Sequence, residues 1–131
     1  MNALIIYDEL EWVYTAGTAL HHARHNANLR GSWEIKPWRT DIFKCAKAAD
    51  KALVEAVRAE LIVFAGVRLD LLATRLGEWL ERWVIRREIE DVALVVMNRR
   101  SSGGPVLAAP SWLSGFAARH SLGLIEDLQR A

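Results

Sequence analysis

The sequence lacks most of the features that announce a function. It has one cysteine, Cys45, so no disulfide framework holds it together. Its longest apolar stretches, Leu61 to Val67 and Val92 to Met97, fall far short of the roughly 20 residues that span a bilayer, which predicts no membrane segment. Charge of one sign is missing too: 17 basic residues stand against 16 acidic ones, leaving +1 and no field to hold nucleic acid. Neither Gly-x-Gly-x-x-Gly, nor Gly-x4-Gly-Lys-Ser/Thr, nor Gly-x-Ser-x-Gly occurs, which removes the usual dinucleotide, P-loop and serine-hydrolase signatures. The opening Met1-Asn2-Ala3-Leu4-Ile5-Ile6-Tyr7-Asp8 has no basic region before its short apolar run and reads as neither signal nor transit peptide. A lone thiol without an export signal suits a reducing compartment, and a cytoplasmic location is expected.

What is present is a core. With 131 residues, 52% hydrophobic, the chain suits one domain spanning 1–131 and excludes general disorder. Leu61-Ile62-Val63-Phe64-Ala65 and Val92-Ala93-Leu94-Val95-Val96-Met97 are continuous apolar runs of strand length, as in strands covered on both faces. Leu4 to Tyr7 is a third, and Leu122 to Ile125 a short last one. Trp33-Glu34-Ile35-Lys36-Pro37-Trp38 alternates and contains proline, which places it at a sheet edge. Between these runs lie four helical patterns. Glu9 to Asn28 carries Leu10, Val13, Gly17 and Leu20, and Ala48 to Glu60 carries Leu53, Val54 and Val57. Leu69 to Arg87 carries Leu72, Leu76, Trp79, Leu80 and Trp83, and Pro110 to His120 opens on proline. Strands alternating with helices predict a three-layer α/β domain around a parallel five-stranded sheet. Right-handed crossovers favour the flavodoxin-like order 2-1-3-4-5, which puts the proline strand at an edge. Only six residues follow Ile125, so a full C-terminal helix is expected to be lacking.

The layout resembles the flavodoxin-like superfold and, within it, the receiver domains of bacterial response regulators. The resemblance is one of pattern and covers most of the chain. It implies an acidic pair after the first strand, a phosphoacceptor aspartate after the third, a Ser or Thr after the fourth and a Lys after the fifth. Asp8 and Glu9 match the first position. The third strand ends Phe64-Ala65-Gly66, the fourth Met97-Asn98-Arg99 and the fifth Ile125-Glu126-Asp127, so the other three groups are missing. Against flavodoxins the departure lies after the first strand, where Asp8-Glu9-Leu10-Glu11 would repel the flavin phosphate that a Ser/Thr/Gly-rich loop holds in that family. No cofactor is expected.

Other constellations have plain readings. His21 and His25 stand one turn apart, as metal ligands do, but His120 is the only histidine besides them and His22, and no metal site is expected. Cys45 lies between Lys44 and Lys47 and reads as a small, partly buried residue. Arg82, Arg86 and Arg87 mingle with Glu78, Glu81, Glu88 and Glu90; Glu78 and Arg82 form an i,i+4 pair, giving a solvated, salt-laced helix end. Trp79, Trp83 and Trp33 read as core. The candidate ligand site is the C-terminal mouth of the sheet, where open α/β folds bind. It gathers Asp8, Glu9, Trp38, Arg39, Gly66, Arg68 and Asn98, with Arg39 and Arg68 expected to pair with Asp8 and Asp41. No catalytic residue is assigned. The expected function is a non-catalytic interaction or regulatory module. The alternative is an enzyme or small-molecule binder that uses Arg39 and Arg68 to hold an anion. A homodimer is expected as well, because one helix would have to cover a sheet face that needs two.

Overall fold

The structure is a computed structural model that describes residues 2–26, 33–97 and 109–126. Strands β1 (Asn2–Tyr7), β2 (Glu34–Arg39), β3 (Leu61–Ala65), β4 (Ala93–Met97) and β5 (Gly123–Ile125) form one sheet, all parallel, in the order β2-β1-β3-β4-β5. Helices α1 (Glu11–Asn26), α2 (Ala46–Ala56), α3 (Ala73–Arg86) and α4 (Ser111–Arg119) connect them, and a 3-10 turn, Thr40–Lys44, precedes α2. This is the flavodoxin-like order. Pro37 lies opposite Ile5 on the outer strand, where its missing N–H costs no central ladder bond. No helix follows β5 among the described residues.

Side-chain alternation along the strands separates two cores. Leu4, Ile6, Ile62, Phe64, Leu94 and Val96 face the layer of α2, α3 and α4. Ala3, Ile5, Leu61, Val63, Ala65, Val95 and Met97 face the layer of α1. In the thicker layer, tryptophans tie the helices together. The Trp79 and Trp83 indole N–H groups donate to the carbonyls of Ala49 and Ala56 at 3.0 and 2.8 Å. Buried Ala49, Ala52 and Ala56 leave room on α2 for those rings. Trp112 donates to the Leu69 carbonyl at 3.3 Å and so holds α4 to the loop after β3.

Several sequence expectations change. Val54 is 70% exposed and Leu10 61% exposed, because α2 turns its alanines inward with Leu53, and α1 buries Ala16, Ala19 and Leu20. α3 begins at Ala73 rather than Leu69: Val67 and Leu69 are drawn into the core as anchors of an irregular loop. Cys45 is exposed, not partly buried. Arg82 reaches across to Asp50 on α2 at 2.6 Å rather than along its own helix to Glu78. The sheet face over which α1 stands alone is not the open patch from which a dimer was expected. Val63, Ala65, Val95 and Met97 on that face are all buried. Among the described residues no helix is long and apolar enough to cross a membrane.

Candidate functional site at the sheet mouth

Parallel register brings the C-terminal ends of the strands level. Tyr7 lies opposite both Arg39 and Ala65, and Ala65 opposite Met97. The residues that follow therefore share one rim, and β1 and β3 flank the point where the winding reverses. After β1 come Asp8 and Glu9, both exposed; Asp8 accepts a hydrogen bond from the Thr40 hydroxyl at 3.4 Å. The Glu9 carbonyl accepts the Trp12 N–H at 3.0 Å, and this bond starts α1. The chain then carries the Trp12 ring back over the sheet end, half-buried against the α1-side core.

Gly66, the first residue after β3, extends the ladder by donating its N–H to the Met97 carbonyl at 2.7 Å, and it then turns with φ +68°. A Cβ at that position would run into the Trp12 indole at Nε1, Cε2 and Cδ1. The glycine is thus required twice, by left-handed backbone and by the ring lying on it. The indole occupies the space that any side chain at the end of β3 would need.

Beyond Gly66, buried Val67 and Leu69 hold the loop down and leave Arg68 outside. The guanidinium grips Asp70 with two bonds, Nε to Oδ1 at 3.3 Å and Nη2 to Oδ2 at 3.1 Å. The hydrogen bond from Arg68 holds the Asp70 carboxyl below its ordinary value, and Asp70 in turn raises Arg68. A depressed carboxyl contributes at neutral pH, and its contribution disappears as pH falls through the lowered value. Both groups are exposed, so water screens the pair. Arg68→Ala is therefore expected to leave the urea midpoint at neutral pH unchanged within error, as equilibrium denaturation would show.

The rim expected from sequence assembles in part. Asp8, Glu9, Arg39, Gly66 and Arg68 are placed by the strand ends, whereas Asn98 lies outside the described residues. The expected pairing is different: Arg68 goes to Asp70, and Asp8 is met by Thr40. Trp38 turns away from an open rim. It packs on the α2-side core and donates its N–H to the Glu55 carboxylate on α2. Trp12, which sequence reading passes over, is the aromatic at the centre of the mouth. Its link to Gly66 joins residues far apart in sequence, and no local pattern signals it.

Among the described residues no three His, Cys, Asp or Glu side chains gather to hold a metal ion. His21 and His22 are exposed, and the side chain of His25 lies outside the described residues. Clefts also lie away from the mouth. One of about 300 Å³ sits at the opposite end of β1 and β2, among Asn2, Glu34, Lys36, Glu55 and Arg58, with Lys36 and Glu34 paired at 3.2 Å. Another, of about 550 Å³, lies between α3 and α4. No protein-family model, no curated protein and no solved structure matches the chain.

Proposed function

We propose that this flavodoxin-like domain is a non-catalytic, receiver-like module that acts in regulation or signal transduction through protein contacts. The observation that carries the reading is the Trp12 ring lying on Gly66. In receivers, which the layout resembles, the residue after the third strand supplies the carboxylate that takes up phosphate. Here that residue has no side chain, and an indole fills the space. Phosphoryl transfer to an aspartate needs the aspartate, and a crevice closed by an aromatic ring does not admit a phosphodonor. The exposed, unpaired Cys45 fits a reducing cytosol, where such a thiol stays reduced.

Incubation with a small phosphodonor and magnesium is expected to yield no acyl phosphate, read by intact-mass spectrometry and by hydroxylamine-sensitive labelling. Detection of a phosphoaspartate would overturn the proposal. A thermal-shift screen against anionic metabolites tests the small-molecule reading, because binding to the native state raises apparent stability by mass action. The expected result is no saturable shift. A shift that Arg68→Ala removes would replace the module by a ligand-binding mouth.

A further inference from the structure

The outer face of α3 carries a knob and a hole at matched spacing. Ile85 is 83% exposed, the most exposed large hydrophobic side chain among the described residues. Two turns earlier stands Gly77, which lines the cleft of about 550 Å³ between α3 and α4 together with Ala73, Trp112 and Phe116. A Cβ on Gly77 would meet nothing within 4 Å, so the internal packing of this chain does not require glycine there. A helix-interior glycine weakens the helix relative to alanine, and here that cost has no return inside the monomer. Gly77, Glu81 and Ile85 form one i,i+4 ridge, the kind that meets its like in the commonest helix–helix packing.

Charges on the neighbouring ridge follow the same spacing. Glu78 and Arg86, also eight residues apart, are both exposed, and neither has an ion-pair partner among the described residues. Eight helical residues cover about 12 Å, so an antiparallel second copy of α3 lays each Ile85 over the other's Gly77. The same twofold axis brings each Glu78 toward the other's Arg86, the centres of the two pairs differing by one residue, about 1.5 Å. Near the axis, Glu81 is already bound by Arg119 at 2.9 Å and Arg82 by Asp50 at 2.6 Å, so the like charges that meet there are each neutralised at home.

We infer that the α3–α4 face is a self-complementary surface for a second copy of this chain, with Ile85 of each protomer entering the cleft floored by the other's Gly77. An isologous interface has this form: one patch bearing both the projection and its receptacle. The inference extends the interaction-module reading to a partner, yet the two fail separately. A phosphoaspartate would overturn the first and leave the dimer standing.

Sedimentation equilibrium over a concentration series on the full chain tests it. The wild type is expected to pass from monomer to dimer, and Ile85→Glu to weaken association by more than about tenfold, as for the loss of a central anchor. Gly77→Leu should weaken it equally while leaving thermal stability of the monomer unchanged or higher, which separates a blocked receptacle from a damaged fold. Glu78→Arg and Arg86→Glu should each weaken association, and the double reversal should restore it. A wild type that stays monomeric throughout, or a dimer that persists in Ile85→Glu and Gly77→Leu, would overturn the inference.

Discussion

Replacing Trp83 by alanine is expected to lower the unfolding free energy by about 4 kcal/mol, within the range for deleting a buried aromatic. Trp83 is fully buried between α3 and α2, and its indole donates to Ala56 at the C-terminal end of α2. Two losses combine. The void cannot collapse readily, because Ala49, Ala52 and Ala56, three of the four buried residues of α2, have no longer side chain to swing into it. The Ala56 carbonyl also loses one of its two donors, retaining only the Ala59 N–H at 3.0 Å. Trp83→Phe separates them. It keeps most of the volume, drops the hydrogen bond, and should cost only about 1–2 kcal/mol. Urea denaturation followed by far-ultraviolet circular dichroism measures both, and an unchanged m value would show that the denatured state is not the source. Against a typical total of about 5–15 kcal/mol, the alanine variant approaches the limit of a stable domain. Equal losses for alanine and phenylalanine would mean that the hydrogen bond, not the packed ring, holds α2 to α3.

Such ties explain why some parts of the fold were legible in the sequence and others were not. Strand order was legible because two signals agreed: unbroken apolar runs at Leu61–Ala65 and Val92–Met97, and a proline strand that only an edge accepts. The stripe of α3 was legible because Leu76, Trp79, Leu80 and Trp83 are large and helically spaced. The buried side of α2 was not. Alanines carry almost no hydropathic contrast, so Val54 stands out in the sequence although it is exposed, while Ala49, Ala52 and Ala56 make the contact. The start of α3 is hidden in the sequence for a related reason. Val67 and Leu69 are apolar because a loop is anchored into the core, not because a helix passes through them. At the mouth, topology placed the rim, but partner choice was not local. Arg68 takes the aspartate two residues away rather than one on another strand's loop, and Trp12 meets Gly66 only because β1 and β3 are neighbours.

That last contact supports the functional reading, and it predicts a specific failure of additivity. Gly66→Ala is expected to destabilise the domain by about 2–4 kcal/mol, combining left-handed backbone strain with overpacking against the indole. Trp12→Ala removes a half-buried ring and should cost about 1.5–3 kcal/mol, the value of burying a large apolar side chain. If the ring lies on Gly66, the two costs overlap. In the Trp12→Ala background the three atoms that crowd the new methyl group are gone, and the strain at φ +68° remains, about 1–2 kcal/mol. A double-mutant cycle should therefore give a favourable coupling of about 1–2 kcal/mol between two residues far apart in sequence. Gly66→Asp sharpens the test, because it places a carboxylate where the receiver acceptor would stand. It should fold poorly with Trp12 present and recover partly with Trp12→Ala. Simple additivity in both cycles would mean that the indole does not close the crevice, and a mouth without chemistry would lose its support.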